Sequence, residues 1–223
     1  MAVIAETSID TTRQRILEAA GEIFAERGFE QATVRDICQL ANANLAAVNY
    51  HFGDKQRLYT EAVKRAHAWK MAQAELPTWN KDVSAERRLS DFILTFLRRL
   101  KLGDRDTWQN RLMMREMMRH DGTCAELVRE SIRPQFDLLL SILVRLLPTD
   151  VEPEQLHRLA FSVVGQCLFY HFADPVVRNL IDEEEYGRQS PEKLAEHITR
   201  FSLTALGRCE GGSRVGGTER AAR

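Results

Sequence analysis

The apolar residues of this chain recur at intervals of three and four positions in almost every segment. That spacing places them on one face of an α-helix, whereas alternating Val, Ile and Thr runs, which indicate strands, are nearly absent. We therefore predict an all-α fold. Residues 1–10 are predicted to form a flexible arm. A first helix from about Thr12 to Arg27 is predicted to start with a capping box of Thr11 and Gln14 and to end at Gly28.

The next segment, Thr33–Tyr50, has the layout of a helix-turn-helix. Thr33 can cap the first helix, and Asn42 suits the left-handed residue that the turn needs. Asn44 can cap a slight second helix whose small side chains would let its backbone approach DNA closely. The helix-turn-helix therefore predicts binding in a major groove.

Longer helices follow a fourth helix that Asp54 caps and that runs toward Glu75. They are predicted at 85–102, 106–119, 123–147, 153–172, near 176–180, and from 191 to about 206. Pro134 is expected to kink or break the third of these, because proline cannot donate a backbone hydrogen bond. The acidic run Asp182–Glu185 is predicted to be a loop, and the Gly- and Arg-rich tail 207–223 to be disordered.

Composition narrows the class of protein. The 223 residues are 44% hydrophobic and 28% charged, with a net charge of −1, which is typical of a globular protein with no bulk positive charge. The four cysteines share no short spacing, which excludes a zinc ribbon and argues against a disulfide framework. The sequence contains no signal peptide and no transmembrane span, so we expect a cytoplasmic protein without a membrane partner.

The segment Thr11–Glu61 contains a series of short motifs in a fixed order: Arg15-Ile-Leu-Glu-Ala-Ala20, Phe24-Ala-Glu-Arg-Gly-Phe29, Thr33-Val-Arg-Asp-Ile37, Tyr50-His-Phe52, Lys55 and Leu58. In the order and spacing of these motifs the segment resembles the DNA-binding domain of the TetR family of transcriptional regulators. The chain departs from the family pattern at Asn42, Ala47 and Asn49, where a glycine, a threonine and an aromatic residue are usual. The variant Asn49-Tyr-His-Phe-Gly53 is similar to one branch of the family that has its own type of C-terminal domain.

The resemblance implies a domain organisation and a set of partners. Residues 11–60 would form the helix-turn-helix domain, and residues 61–206 a larger helical domain for effector binding and dimerisation, joined to it by the fourth helix. The partners would be a double-stranded DNA operator, a second copy of the chain and an unidentified small-molecule effector, with no cofactor. The residues expected to contact DNA are Thr33, Arg35, Asn44, Leu45, Ala46, Ala47, Asn49, Tyr50, His51 and Lys55.

Within that set, the resemblance implies that Tyr50 and Lys55 contact phosphates and that Thr33 contacts the DNA backbone. Asn44, Leu45, Ala46, Ala47 and Asn49 would face base edges or sugars, and Arg35 would reach either. Asparagine pairs with adenine, and alanine meets a thymine methyl group. For each polar residue the alternative is a solvated turn or a cap.

The numbers of charged residues in the N-terminal segment argue against DNA binding. Residues 1–70 contain nine basic and nine acidic residues, so a DNA-binding head must rely on a local patch. We therefore hold two hypotheses. The first is a sequence-specific transcriptional regulator, a ligand-responsive repressor that binds a near-palindromic operator as a homodimer. The alternative is an all-helical small-molecule-binding or adaptor protein whose helix-turn-helix is only a packing unit.

A cluster of aromatic, methionine and polar side chains in the C-terminal half is a candidate effector pocket, with an ordinary core as the alternative. Its members are Phe92, Phe96, Trp108, Arg111, Met114, Arg115, Met118, Gln166, Tyr170 and His171. Two apolar helix stripes are candidates for the dimer interface, although an intramolecular core would give the same pattern. They contain Leu156, Leu159, Ala160, Val163, Val164, Cys167, Leu194, Ile198 and Phe201.

Metal and catalytic sites are less favoured. Cys167 and His171 are four residues apart, as are His120 and Cys124, and such pairs could bind a transition metal, but a buried cysteine is commoner. We predict no metal site. The sequence contains none of the nucleophile-elbow, zinc-protease, P-loop or dinucleotide-binding motifs, and we expect no enzyme.

Overall fold

The computed structural model describes residues 2–101, 107–119, 125–147 and 151–207. All regular elements within these ranges are helical, which confirms the predicted all-α class. Predictions for His120, Cys124 and residues 208–223 lie outside the described residues.

The described helices agree closely in position with the sequence pattern from residue 34 onward. They are α1 Ala2–Gln31, α2 Val34–Ala41, α3 Leu45–Phe52, α4 Lys55–Ala72, α5 Ala85–Lys101, α6 Trp108–Met117, α7 Ala125–Leu127, a π-helical turn Val128–Ile132, α8 Arg133–Leu146, α9 Pro153–Phe172, α10 Asp174–Leu180, α11 Glu183–Gly187 and α12 Pro191–Ala205.

The start of α1 differs from the prediction. The helix begins at Ala2, so neither the flexible arm over 1–10 nor the capping box at Thr11 agrees with the structure. Residues 2–10 contain no glycine or proline, so nothing in this segment stops a helix from extending toward the N-terminus. The predicted end is confirmed, because Gly28 has a positive φ of 76° and kinks the helix there.

Local capping accounts for the helix-turn-helix. The Thr33 hydroxyl accepts a hydrogen bond from the Asp36 backbone N–H at 3.1 Å, and Asn42 is left-handed with φ 46°. The Asn44 carboxamide oxygen accepts from the Ala47 N–H at 2.8 Å at the start of α3, and the Asp54 carboxylate accepts from the Arg57 N–H at the start of α4. These predicted caps are confirmed.

The interruption expected at Pro134 is also confirmed. A π-helical turn, Val128–Ile132, separates α7 from α8 just before this proline. Proline lacks the N–H that would continue the α-helical hydrogen-bond ladder, so the preceding turn widens to accommodate it.

The predicted loop at Asp182–Glu185 is instead a short helix, α11. The Asp182 carboxylate accepts a hydrogen bond from the Glu185 N–H at 2.7 Å and caps it. The three glutamates that follow occupy its first turn, where negative charge is favourable next to the exposed N–H groups of a helix.

The described residues form two compact units. One contains residues from 1–78 and 95–139, and the other residues from 79–94 and from 140 onward. These units do not coincide with the predicted boundary at residue 60, because α6 packs on α1 and α4 within the first unit. The core of the first unit includes Ile16, Phe24, Ile37, Val48, Phe52, Tyr59 and Leu112. The spacing of three residues from Ile37 predicts a core position for Leu40 as well, but Leu40 is 51% exposed on α2.

Candidate nucleic-acid interface

Helix α3 presents two large side chains to solvent. Val48 and Phe52 are buried in the core of the first unit, which fixes the orientation of the helix. On the outer side Leu45 is 57% exposed and Tyr50 is 77% exposed. Large apolar or aromatic side chains held in the open on a rigid short helix are typical of a contact surface.

The small and polar residues of α3 divide between that surface and the core. Asn44, Ala46 and Asn49 are exposed, as expected for residues that contact DNA. Ala47 is only half exposed and packs against the core, so less of it is accessible than the sequence prediction assumed. His51 is also half-buried, and its ring lies 5.1 Å from the Tyr50 ring between ring centroids.

The polar residues around α3 already have partners within the chain. Lys55 Nζ donates to the Glu30 carbonyl at 3.3 Å and lies 4.5 Å from the centre of the Phe29 ring. The Thr33 hydroxyl donates to the Asp36 carboxylate at 2.7 Å, and Arg27 pairs with that carboxylate at 2.9 Å. The hydrogen bond from Thr33, followed by the charge of Arg27, lowers the pKa of Asp36 below its usual value.

Pairing of the acidic residues makes a local basic patch compatible with a neutral head. Glu61 accepts from Arg13 at 2.9 Å, and Glu18 pairs with Arg65 on the α4 side of α1. In contrast, Arg35 and Arg57 are exposed, and within the described ranges no carboxylate pairs with either. We did not predict Arg57, although its place in the first turn of α4, two residues after Lys55, indicates it.

Arg57 also borders an open groove beside α3. The groove has a volume of about 590 Å³ and includes Asn49, Tyr50, His51, Arg57 and Arg13 among its lining residues. It therefore joins exposed residues of α3 to the first turn of α4 in one concave surface. The exposed Arg57 and the Tyr50 hydroxyl, near a helix N-terminus, are groups that bind phosphate, whereas Arg13 in the same groove is paired with Glu61.

Helix α6 contacts α1 through two side chains, Trp108 and Arg115. Trp108 Nε1 donates to the Glu18 carboxylate at 2.9 Å, and its ring lies against α1 where Gly21 has no side chain. Arg115 donates to the Glu26 carbonyl at 3.0 Å. Trp108 and Arg115, predicted for the effector pocket, therefore make contacts with α1, a long-range packing that sequence spacing does not show.

A buried hydrogen bond joins α4 to α6. The Tyr59 hydroxyl donates to the Glu116 carboxylate, which is fully buried, and Arg119 lies 3.7 Å from the same carboxylate. Burial, together with the neighbouring Glu116, raises the pKa of Tyr59 above its usual value. Buried polar groups that satisfy each other hold two helices in one arrangement.

The other predicted pocket residues are distributed over both units. In the first unit, Arg111 and Met118 are exposed, and Met114 and Phe96 are half-buried. In the second unit, Phe92 is buried, Tyr170 and His171 are half-buried, and Gln166 Nε2 donates to the Ser162 carbonyl at 3.2 Å. The exposure of Arg111 and Met118 does not agree with a place inside a pocket, because both lie on the outer face of α6.

A buried basic cluster in the first unit was missed by the sequence analysis. His67 and Lys70 on α4 and Arg99 on α5 are 8%, 7% and 8% exposed. Burial and the charges of Arg99 and Lys70 lower the pKa of His67, and burial lowers the pKa of Lys70 to about 8. A lysine that follows a histidine by three residues on a helix was the available signal, but only the fold brings Arg99 to them.

Most residues of the predicted interface stripes form the core of the second unit. Ala160, Val163, Cys167, Leu194 and Ile198 are buried, and burial raises the pKa of Cys167 to about 12. Their burial within a single chain, where α9 and α12 pack on each other, is typical of a core, and an interface at these five positions stays a prediction. Leu156, Leu159 and Val164 are half-buried.

A different face of the same helices is exposed. Phe161 and Phe169 on α9 are 62% and 53% exposed, and Phe201 on α12, which the sequence did predict, is 58% exposed. Gly165 lies between the two α9 phenylalanines, and a Cβ there would meet nothing within 4 Å. The spacing of four residues between Phe161, Gly165 and Phe169 was visible in the sequence, but which stripe of α9 faces inward was not.

Two further findings concern metals and membranes. Among the residues that the structure describes, no three His, Cys, Asp or Glu side chains form a group able to hold a metal ion. No described helix combines the length and apolar character that crossing a membrane requires.

Comparison with known proteins assigns the family. Residues 85–206, more than half of the chain, match the model described as "HTH-type transcriptional dual regulator CecR, C-terminal domain", and residues 16–62 match "Bacterial regulatory proteins, tetR family". The chain belongs to the TetR family. It is a DNA-binding transcriptional regulator, and the resemblance identified from its N-terminal motifs is confirmed.

Two relatives illustrate the extent of similarity within the TetR family. The transcriptional repressor AcnR of Corynebacterium diphtheriae is 32% identical over 136 residues, which span 59% of this chain and 71% of the relative. The transcriptional repressor NicS of Pseudomonas putida is 34% identical over 68 residues, 30% of this chain and 32% of the relative. The second match therefore spans about a third of that protein.

Solved structures agree with the TetR-family fold. A bacterial regulatory protein of the tetR family from Rhodococcus RHA1 superimposes with a TM-score of 0.59 and 17% identity, covering 89% of this chain and 98% of that one. At this identity the likeness concerns the fold alone.

Proposed function

We propose that this TetR-family regulator is a ligand-responsive repressor that binds a near-palindromic operator as a homodimer. The observation that carries the proposal is the outer face of α3, where Leu45, Asn49 and Tyr50 are exposed while Val48 and Phe52 anchor the helix from behind. A short rigid helix with small and polar exposed side chains suits insertion into a major groove. Repression is proposed because similar proteins, AcnR and NicS, are named repressors.

We assign two kinds of DNA contact. Tyr50, Lys55, Arg57 and Thr33 contact phosphates, which fixes the position of the head on the duplex. Asn44, Leu45, Ala46, Ala47 and Asn49 approach base edges or sugars, which gives sequence preference, and Arg35 reaches either. Lys55 would exchange its hydrogen bond to the Glu30 carbonyl for one to a phosphate oxygen. The hydrogen bond of Asn44 to Ala47 leaves its N–H₂ group available for a base or sugar.

The exposed phenylalanines of the second unit are our candidate dimer interface. Phe161, Gly165 and Phe169 form one line along α9, and Phe201 is exposed on α12, which packs on α9. A homodimer covers such a surface with the same surface of its partner, and glycine permits close approach of two helices. Two heads held by one interface then contact two half-sites of an operator.

The contacts between α6, α1 and α4 are our candidate route from effector to DNA. Trp108 and Arg115 tie α6 to α1, and the buried Tyr59–Glu116 hydrogen bond ties it to α4. An effector that fits only one arrangement of these helices changes the position of the heads and with it the affinity for the operator. The similarity of Asn49-Tyr-His-Phe-Gly53 to one branch of the family, together with the match of residues 85–206 to the CecR C-terminal domain, supports our proposal that the chain belongs to a branch with its own type of C-terminal domain.

The division of contacts is tested by selection and variants together. The purified full chain is used to enrich duplexes from a random library, and the enriched operator is then titrated by fluorescence anisotropy with Tyr50→Ala and Asn49→Ala. We expect Tyr50→Ala to weaken binding of all duplexes alike and Asn49→Ala to change the enriched sequence. If both variants lose affinity uniformly and neither changes preference, the assignment of roles is wrong. Glu22→Ala, an exposed change on α1, is the matched control.

A further inference from the structure

Three basic side chains are buried together in the first unit. His67 and Lys70 lie three residues apart on α4 and therefore share one face of that helix, and Arg99 comes from α5. Each is less than a tenth exposed. Arg99 Nε donates to the Ala74 carbonyl, four residues after Lys70, so the guanidinium lies beside the end of the helix that carries His67 and Lys70. Burial, together with the charges of Arg99 and Lys70, lowers the pKa of His67.

The partners of this cluster hold it in place without neutralising it. Arg99 Nε donates to the Ala74 carbonyl at 2.8 Å, and Arg99 Nη1 donates to the Gln135 side-chain oxygen at 2.6 Å. Gln135 is in turn fixed by a contact of 2.8 Å to the Met71 sulfur. Both of these acceptors are neutral, so they orient the guanidinium without compensating its charge.

Within the described parts of the chain, no carboxylate pairs with any of the three. Asp91, which precedes Arg99 by two turns on α5, accepts from Trp79 Nε1 at 3.0 Å and pairs with Arg87 at 3.0 Å. Lys70 has no side-chain hydrogen bond among these residues. A lysine with a pKa of about 8 is still mostly protonated at pH 7.

Burying a positive charge without a counter-charge is costly, and the proximity of the charged Lys70 and Arg99 adds repulsion. A bound anion would supply the missing negative charge and offset this cost. Guanidinium, ammonium and imidazolium groups are all hydrogen-bond donors, and together they match the several acceptor oxygens of a carboxylate or a phosphate.

We propose that His67, Lys70 and Arg99 form the binding site for a small anion that bears carboxylate or phosphate groups, and that this anion is the effector of the repressor. The second half of this statement rests on the function proposed above. Lys70 Nζ and the N–H groups of Arg99 that Ala74 and Gln135 do not occupy donate to the anion, and His67 donates in its protonated form.

The position of the site connects it to the DNA-binding head. His67 and Lys70 belong to the same helix, α4, whose first turn contains Lys55 and Arg57 and whose middle contains Tyr59. Gln135, which accepts a hydrogen bond from Arg99, lies in the first turn of α8, directly after the π-helical turn. An anion that draws Lys70 and Arg99 together therefore moves α4 relative to α5, and the first turn of α4 carries the proposed phosphate contacts.

The site is tested on the purified full chain without DNA. Melting temperatures are measured with inorganic phosphate, succinate and acetate, each against chloride at equal ionic strength, for wild type, Lys70→Met and the exposed control Lys193→Met. We expect phosphate or succinate to raise the melting temperature of wild type and Lys193→Met and to leave Lys70→Met unchanged. Lys70→Met without anion is expected to melt higher than wild type, because it removes a buried charge and keeps the volume.

Other results of the melting experiment would contradict the proposed anion site. No rise with any of the three anions in wild type contradicts it, and so does an equal rise in Lys70→Met, which would indicate a general salt effect. If Lys70→Met does not fold, Lys70→Gln takes its place, and calorimetric titration of wild type with phosphate and succinate gives an independent answer. The absence of binding heat for both anions contradicts the proposal.

An experiment with operator DNA distinguishes failure of this inference from failure of the proposed function. The active anion is titrated into the complex with the enriched operator, and we expect release from wild type at least tenfold more readily than from Lys70→Met. Anion binding without release overturns the effector assignment alone. Failure of the chain to bind any duplex overturns the proposed function, whereas the melting experiment still decides the anion site.

Discussion

The packing of Trp108 on Gly21 gives a prediction with a defined magnitude. A Cβ on Gly21 would lie 2.5 Å from the Cε3 and Cζ3 atoms of Trp108 and 2.7 Å from its Cδ2. These distances are far inside van der Waals contact, so Gly21→Ala forces the indole, and with it α6, away from α1. Overpacking of this kind costs about 1 to 3 kcal/mol.

Helix propensity acts in the opposite direction. Replacing a glycine inside a helix by alanine stabilises the helix by about 0.5 to 1 kcal/mol. We therefore expect Gly21→Ala to lower the free energy of unfolding by roughly 1 kcal/mol, the difference of these two effects. In a Trp108→Leu background the clash is absent, so the same change should raise stability by about 0.5 to 1 kcal/mol.

The coupling between the two sites follows from a double-mutant cycle measured by urea denaturation. We expect an interaction energy of about 2 kcal/mol between positions 21 and 108. Gly187→Ala is the matched control, because a Cβ at Gly187 meets nothing within 4 Å. Additive effects, with Gly21→Ala stabilising in both backgrounds, would refute the packing of α6 on α1.

Four further predictions follow. Tyr59→Phe removes one donor from the buried Glu116 carboxylate, which keeps its contact with Arg119, and should lower the free energy of unfolding by about 1 to 3 kcal/mol in urea denaturation; an unchanged value would contradict the hydrogen bond. Phe169→Arg should convert the dimer to a monomer in light scattering, and a persistent dimer would exclude this face. Arg57→Ala should weaken binding to all duplexes and reduce the salt dependence by about one charge, and an unchanged salt slope would argue against a phosphate contact. The pKa of Lys70 is about 8 in the folded chain and 10.5 ordinarily, so between these pH values the unfolded chain binds more protons than the folded chain. The stability of wild type should therefore rise from pH 8 to 10.5 relative to that of Lys70→Met. Parallel pH profiles of the two proteins would contradict burial of the charge.

Features encoded by neighbouring residues could be predicted from the sequence. Thr33, Asn42 and Asn44 define the helix-turn-helix through bonds that span three residues or through one backbone angle. The break before Pro134 follows from a missing N–H. In each case the side chain and the backbone group that it satisfies lie within one turn, so the pattern determines the structure.

Features that depend on contacts between distant helices could not be predicted. The stripe containing Ala160 and Val163 is typical of either an interface or a core, and only the packing of α12 on α9 favours the core. Trp108 resembles a pocket residue until its hydrogen bond to Glu18, 90 residues earlier, is known. The basic cluster was missed because Arg99 is 29 residues from Lys70, and sequence charge alone gives no sign of burial.

The most direct test of the account compares one operator with half of it. The near-palindrome enriched by the full chain is titrated by fluorescence anisotropy beside a duplex in which one half-site is scrambled. Because two linked heads bind two half-sites together, we predict that the intact operator binds at least about 100-fold more tightly. Equal affinity for the two duplexes, or the absence of any enriched sequence from a folded chain, would contradict a dimeric operator-binding regulator.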